Sequence, residues 1–531
     1  MLINRKKQRN IIKKQYGNNP LNDPHHYMRK DRLKLIAKYH EDAGGGSVDE
    51  ITWDDLEMDE VFLRINHTRS YIGEQVLYHK LHCDDKADTK EFDKSVTYYN
   101  TNEEERITAE QCLALLGKRN NSYYMPQLIH ILSEFELPYA WCYRILQLLL
   151  ALMLILSVTL RSSEVLLLFI VVAGINLFIY MRAKARYEYM MDCLHGICSL
   201  IDVSERLLEK DCVPVSFVTD DIKEHIRKLH SLKKLVGSFV TRKNYSINDP
   251  QGMLADYLMG ITLFDLVSFH KISGIVRGNE NSVMNLYEFV GMVDMLVSVA
   301  SFRKSLPVYC VPLFSNENRI EACDIYHPLI EDAVPNSVSI GSSTMIMGAN
   351  ASGKSTFMKA LAVNAILAQS ISTCCAKTLT LPECVVMTSM AVRDDVLSGE
   401  SYYVREIRYL KRMLDESRKD NTVLYFIDEI LKGTNYKERL AASKAVLKYL
   451  CSKKGMVIVS THDGELAKCL KREYDGYHFE SELTDKGIKF DYMIKKGFGQ
   501  GSNAIDLLSC YDFPREVVEN AKKLVKDENI A

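Results

Sequence analysis

The chain has 531 residues, 47% of them hydrophobic, long enough for three or four domains with ordinary folded interiors. Its 67 basic and 69 acidic side chains leave a formal net charge of −2, which argues against a dominant DNA-binding surface but leaves room for a local basic patch. Fourteen cysteines show no paired CxxC spacing; neither Cys193 and Cys198 around His195 nor the adjacent Cys374 and Cys375 fit a zinc site, so reduced cytosolic thiols are expected.

The N-terminus is basic at Arg5, Lys6, Lys7, Arg9, Lys13 and Lys14 and is interrupted by Asn10, Asn18, Asn19 and Pro20. Residues 1–45 read as a disordered arm that ends in the linker Gly44-Gly45-Gly46. No hydrophobic stretch follows the basic residues, so this is not a signal peptide. The arm has a choice of anionic lipid, nucleic acid or no partner. Each Lys or Arg beside an anionic membrane contributes about 1 kcal/mol, and an apolar hairpin downstream would keep it there, which favours lipid over DNA. His25 and His26 read as a solvated pair. The first half of a helical core is expected over residues 46–142.

Residues 145–160 and 165–181 are two nearly uninterrupted apolar runs separated by Arg161-Ser162-Ser163-Glu164. The pair predicts a transmembrane helical hairpin within residues 143–183. Each run spans roughly 25 Å at ~1.5 Å per residue, slightly under the ~30 Å hydrocarbon core, so thinning or snorkelling of Arg144 and Arg182 completes the span. In the second run Val, Leu, Ile and Phe contribute roughly −0.3 to −0.6 kcal/mol each and together outweigh a charge-sized penalty of about 3 kcal/mol at Asn176. Arg144, Arg182, Lys184 and Arg186 lie on one side, whereas Arg161 and Glu164 nearly cancel, so both termini are expected in the cytoplasm. The competing reading is a pair of buried core helices. Helical periodicity then dominates to residue 315, broken near Val213-Pro214, Asn248-Asp249-Pro250 and Gly278-Asn279.

A phosphate-binding loop follows. Gly348-Ala349-Asn350-Ala351-Ser352-Gly353-Lys354-Ser355 sits between a strand-favouring run, Ser343 to Met347, and a helix that continues through Thr356 and Phe357. Glycines let backbone N–H groups turn toward phosphates, the helix N-terminus adds partial positive charge, Lys354 reaches the outer phosphates and Ser355 can sit on Mg²⁺. Leu397-Ser398-Gly399-Glu400-Ser401 makes a turn before a helix whose Tyr403, Ile407, Leu410 and Leu414 share one face; it can present Ser401 to an anion or be an ordinary capped helix. The apolar run Val423 to Ile427 delivers Asp428 and Glu429 to a strand's C-terminal edge, where Asp428 suits the Mg²⁺ shell and Glu429 suits the attacking water. The buried run Met456 to Val459 ends in Ser460-Thr461-His462 and brings His462 to the same edge.

This ordered set resembles the ATPase domain of the MutS family, within the wider ABC-type ATPases. Asn350, Gly353, Lys354, Ser355 and Thr356 match the family's phosphate loop, with Ala349 in place of its proline. Gly399, Ser401 and Glu406 resemble its signature turn, with Tyr402 and Tyr403 replacing Thr and Phe. Asp428-Glu429 with Gly433-Thr434, Ser460-Thr461-His462, His327-Pro328, Pro335-Asn336, Gly501-Ser502-Asn503-Ala504 and Phe513-Pro514 also fit. Weaker echoes of the family's helical core lie at Thr52-Trp53-Asp54-Asp55-Leu56 and Asp294-Met295-Leu296. Asn435 to Arg439 stand where the repair proteins carry an acidic-glycine pair, so communication across a dimer is expected to differ.

The resemblance implies an α/β P-loop ATPase domain over residues 316–531, preceded by an all-α core and lever region whose second half is residues 184–315. It implies a homodimer in which Gly399 and Ser401 of one subunit complete the pocket built by Lys354, Asp428 and Glu429 of the other, with ATP and Mg²⁺ as cofactors. The hairpin lies between the two core echoes, about where the family's levers reach a DNA clamp. A mismatch-reading domain before Thr52 and a nuclease domain after Lys522 are not expected. The leading expectation is a membrane-anchored ATPase that moves helical levers against an unidentified membrane partner. The alternatives are a DNA mismatch or structure clamp and, least favoured, an ABC transporter half.

Overall fold

The computed structural model describes residues 2–23, 30–83, 89–134, 140–240, 257–349, 351–390, 402–484, 487–499 and 513–526. The C-terminal unit is built on a six-stranded sheet of β4 (Thr344–Met347), β6 (Val385–Ser389), β7 (Val423–Asp428), β8 (Gly455–Thr461), β9 (Asp475–Thr484) and β10 (Gly487–Lys496). Its order is β10-β9-β4-β8-β7-β6, parallel throughout except for the β9–β10 hairpin. Helices cover both faces, which is why the central strands are apolar runs rather than alternating ones. Along β7, Leu424 and Phe426 join the helix Lys354–Ile371 on one face, and Val423, Tyr425 and Ile427 join Met413, Leu447 and Leu450 on the other. A smaller sheet, β1 (Leu313–Phe314), β5 (Thr378–Leu381), β2 (Ile320–Ile325) and β3 (Asn336–Ile340) in that order, flanks it.

Before this α/β domain the described chain is all α-helical. The helices Tyr71–His82 and Glu280–Ser305 cross so closely that a Cβ on Gly291 would lie 2.3 Å from Val76 Cγ2 and one on Gly73 2.3 Å from Asp294 Oδ2. Asp294 is fully buried and accepts hydrogen bonds from Arg69 N (2.9 Å to Oδ1), Ser70 N (2.8 Å) and Ser70 Oγ (2.6 Å), which ties the entry of the first helix to the middle of the second. The helix Glu280–Ser305 is long and apolar enough to cross a membrane, yet 78% of its most apolar window is buried inside the protein, so it is a core helix.

The arm differs from its sequence reading. Leu2–Gln15 is a helix, not a disordered tail. Ile12 is buried, Arg9 and Lys13 pair with Glu104 and Glu103, and the Arg106 guanidinium lies 3.4 Å from the Tyr16 ring centre. Exposed ion pairs contribute little; the buried Ile12 and the cation–π contact give the helix its dock. His25 and His26 lie outside the described residues.

The two apolar runs form adjacent helices, Ala140–Leu160 and Ser163–Glu209, joined by Arg161 and Ser162. Only 6% and 11% of their most apolar windows are buried, so the competing reading as core helices fails: Leu148, Ile155, Val158, Leu167 and Phe178 point away from the protein. No proline stands between residues 163 and 209, Gly174 and Gly196 are carried inside the helix, and the second helix runs on for 47 residues into the helical core.

The helical unit meets the α/β domain at the helix Glu50–Asp55. Asp55 Oδ2 accepts from Thr388 Oγ1 and Met390 N, both at 2.8 Å, and Asp49 pairs with Arg412. Thr52 and Trp53 are buried there, with Trp53 stacked on His82 at 3.6 Å between ring centres.

Candidate active site

Three parallel strands end together. The β4–β8 register sets Met347 beside Thr461, and the β7–β8 register sets Asp428 beside Ser460, so the loops that follow these strands converge on one edge. After β4 the chain turns through Gly348 (φ +152°), Ala351 (φ +65°) and Gly353 (φ +104°) into the helix Lys354–Ile371. A Cβ on Gly348 would sit 2.8 Å from Ser352 Oγ and 3.1 Å from the Phe479 carbonyl, so only glycine fits.

Lys354 Nζ donates to the carbonyls of Gly348 (2.7 Å) and Ala349 (2.8 Å), folding over its own loop. Burial lowers its pKa, while Glu429 and Asp428 act in the opposite sense. Ser355 Oγ donates to Asp428 Oδ2 at 2.7 Å, and the other Asp428 oxygen accepts from Ser460 Oγ. Asp428 is therefore held from two strands and a helix N-terminus at once. Glu429 takes a left-handed backbone (φ +55°), rare for a residue with a side chain and concentrated at functional sites. Its N–H donates to the Ser460 carbonyl at 3.2 Å; its carboxylate lies 3.1 Å from His462 Nδ1 and 2.9 Å from Lys432 Nζ. Burial pushes the Glu429 pKa up, but Lys432 and His462 outweigh it and hold the group below the ordinary glutamate value.

A cavity of about 600 Å³ opens over this edge, lined by Gly353, Lys354, Ser355, Thr356, Asp428 and Glu429. His327, Ile330, Asn336, Phe479 and Tyr492 complete its wall, with Phe479 and Tyr492 against the phosphate loop at Gly353. Asn336 ties that wall to the β9–β10 hairpin: its Nδ2 donates to the Tyr492 carbonyl at 3.0 Å and its Oδ1 accepts from Ile494 N at 2.7 Å. Burial and nearby Lys359 lower the His327 pKa to about 4, so its imidazole is neutral near pH 7. Glu406 is buried with its pKa raised by burial, and it accepts from Lys432 N at 3.2 Å, anchoring the turn that carries Lys432.

The structure thus brings together Gly348, Gly353, Lys354, Ser355, Thr356, Asp428, Glu429 and His462. Asn350, Gly399 and Ser401 lie outside the described residues, as do Gly501 to Ala504. Sequence reading missed Lys432, Phe479 and Tyr492. Lys432 stood three residues beyond Glu429 and could have been read as its partner; nothing local marks Phe479 or Tyr492, which reach the cavity through the β9–β10 hairpin.

The donor set fits ATP with Mg²⁺. Ser352 Oγ is buried without a partner among the described residues, the glycine-rich turn leaves no room for a side chain at Gly348, and the Ser355–Asp428 pair offers the hard oxygen ligands that Mg²⁺ takes.

Residues 344–528 match the family model described as MutS domain V. The chain is 33% identical over 213 residues to the DNA mismatch repair protein MutS of Aquifex pyrophilus, covering 38% of this chain and 25% of that protein. It is 29% identical over 294 residues to the DNA mismatch repair protein MutS 2 of Haloarcula marismortui, covering 50% of this chain and 30% of the relative. It is 29% identical over 231 residues to the DNA mismatch repair protein MutS of Bacillus velezensis, covering 41% and 26% respectively. The chain therefore spans between 25% and 30% of the length of these relatives. Sheet, phosphate loop and match together place the C-terminal unit in the MutS and ABC-type P-loop ATPase superfamily.

Proposed function

We propose that this chain is a membrane-anchored ATPase that hydrolyses ATP between two copies of its α/β domain and couples the cycle to its helical levers. The observation that supports it best is the convergence of the Ser355–Asp428 and Glu429–His462 pairs on one sheet edge beneath the phosphate loop. Lys354, with the N–H groups that open the helix Lys354–Ile371, binds the phosphate chain. Ser355 and Asp428 hold Mg²⁺, which when bound neutralises charge developing on the phosphate oxygens. Glu429 orients the attacking water and accepts its proton; His462 and Lys432 keep it ionised for that task. Gly399 and Ser401 of the second copy complete the pocket, making the homodimer the active form.

In this reading residues 1–45, 46–142, 143–183, 184–315 and 316–531 are successively arm, first half of the core, hairpin, second half with lever, and ATPase domain. The hairpin spans the cytoplasmic membrane, and both termini and the ATPase domain face the cytoplasm. A DNA clamp tethered to the membrane is the second reading, favoured by relatives named for DNA mismatch repair. ATPase activity of detergent-purified protein, with and without duplex DNA at low and physiological salt, separates the two. Activity indifferent to DNA supports the membrane reading, stimulation lost with salt supports the clamp, and no ATPase activity under any condition overturns both. Full release by alkaline carbonate, or labelling of Ser162→Cys from the cytoplasmic side, would remove the membrane span.

Lys432→Ala should shift the pH profile. With Lys432 gone, Glu429 loses one of the two groups that oppose burial and its pKa rises, so the acidic limb of kcat moves to higher pH. An unmoved limb would show that Lys432 does not set the charge state of Glu429.

A further inference from the structure

Residues 257–262 are helical, Leu263 breaks the run with a left-handed backbone (φ +51°), and the helix Phe264–Arg277 follows in a new direction. A break of this kind removes the amide that the carbonyl of Ile261 would bond in a continuous helix. That carbonyl accepts instead from Asn176 Nδ2 at 2.9 Å, although Asn176 sits in the second hairpin helix. Asn176 is fully buried, on the same side of its helix as buried Tyr180 and Ala183, while Ile175, Phe178 and Met181 face outward. One turn along, a Cβ on Gly260 would lie 2.7 Å from Tyr180 Cδ1 and 2.8 Å from Leu177 Cδ1, so the side chains of Tyr180 and Leu177 pack directly on the Gly260 backbone, where only glycine leaves them room. The amide nitrogen of Asn176 is thus spent on a fixed hydrogen bond to a second backbone, while its Oδ1 is buried without a partner among the described residues.

The bond sets a depth. Asn176 lies seven residues inside Ala183, the end of the second candidate span, hence about 10 Å along the helix and roughly a third of the way into a ~30 Å hydrocarbon core. The backbone at Ile261 shares that depth. Tyr257 and Leu258 are about half exposed and Phe264 is 38% exposed, whereas Leu266, Phe269 and Ile272 farther along are buried in the helical core. In sequence, residues 257–264 carry no charge and are bounded by Asp256 and Asp265. An uncharged, outward-facing turn beside a hairpin helix continues the lipid-facing surface of that helix. Its freed carbonyl is satisfied inside the protein, as hydrocarbon requires.

We propose that residues 257–264 are a third membrane-inserted element, which dips into the cytoplasmic half of the bilayer without crossing it, covers Tyr257, Leu258 and Phe264 with lipid acyl chains, and clasps the hairpin through Asn176 and Gly260. The inference rests on the hairpin being in the membrane, and its test separates the two. The unmodified full-length protein is reconstituted in phosphatidylcholine vesicles carrying an acyl-chain diazirine, irradiated, digested and mapped by mass spectrometry. Adducts are expected on the peptides holding Leu154 and Leu167 and also on the one holding Leu258, all several-fold above the peptide holding Val215, which is 89% exposed at the water side. Labelled hairpin peptides with residues 257–264 at the Val215 level would overturn the inference and leave the hairpin standing; unlabelled hairpin peptides would overturn both. Asn176→Leu should lower labelling of residues 257–264 several-fold while the hairpin keeps its adducts. Unchanged labelling there would remove Asn176 as the clasp.

Discussion

Glu429→Gln is expected to lower the rate of ATP hydrolysis by about 10²–10⁴-fold, the range a positioned general base contributes, while leaving ATP binding intact. Glutamine fills the same volume on the same left-handed turn and keeps an oxygen for His462 Nδ1, but it cannot accept the proton of the attacking water. Lys432 loses its ionic partner at little cost because its own side chain is 43% exposed. Lys354, Ser355 and Asp428 are untouched, so nucleotide and Mg²⁺ remain bound and the paired heads accumulate. Single-turnover phosphate release, binding of a fluorescent ATP analogue and sedimentation in detergent check the three parts. Hydrolysis within about threefold of the parent would show that Glu429 is not the base.

Asp294→Ala is expected to cost about 3–5 kcal/mol of stability, because it leaves three buried donors without an acceptor. Arg69 N, Ser70 N and Ser70 Oγ all point at that carboxylate beside the close crossing at Gly73 and Gly291. Asp294→Asn keeps one acceptor oxygen and should fall between parent and alanine variant. Thermal unfolding in detergent reads both. A loss below about 1 kcal/mol for the alanine variant would mean that the helices hold their crossing without the tie. The same observation accounts for the core echo seen around Asp294: the residue is an acceptor inside a helix crossing, far from any nucleotide.

The phosphate loop and the acidic strand end were legible because each is a local string whose chemistry needs its neighbours in sequence order. Ser355 reaching Asp428 and Glu429 reaching His462 could be expected from the rule that parallel strands present their C-terminal ends together. The arm was misread because what docks it, the Arg106 guanidinium over the Tyr16 ring beside buried Ile12, comes from some ninety residues away and composition alone does not reveal a distant dock. The hairpin's position was legible from its apolar runs; the continuation of its second helix to Glu209 was not, since periodicity changes there from apolar all round to one-sided without a proline to mark an end. Phe479 and Tyr492 were invisible for a further reason. They reach the cavity through a hairpin whose register, including the irregularity between Phe490 and Ile494, depends on pairing rather than on spacing.

With the hairpin in the membrane as proposed, the continuous helix Ser163–Glu209 would make bilayer thickness an input to the ATPase cycle. From Ala183 to Glu209 it extends about 39 Å beyond the membrane boundary, so a tilt of about 10° at that boundary carries its inner end through about 7 Å. An apolar span longer than the local hydrocarbon thickness is accommodated by tilt, so thinning the bilayer toward or below the span's length changes the tilt at fractions of a kcal/mol per Å. Linkage is reciprocal: if closing the ATPase heads changes the tilt, a thinner or thicker bilayer must change how readily the heads close. Turnover should then depend on acyl-chain length in a way that no soluble relative of the engine could show.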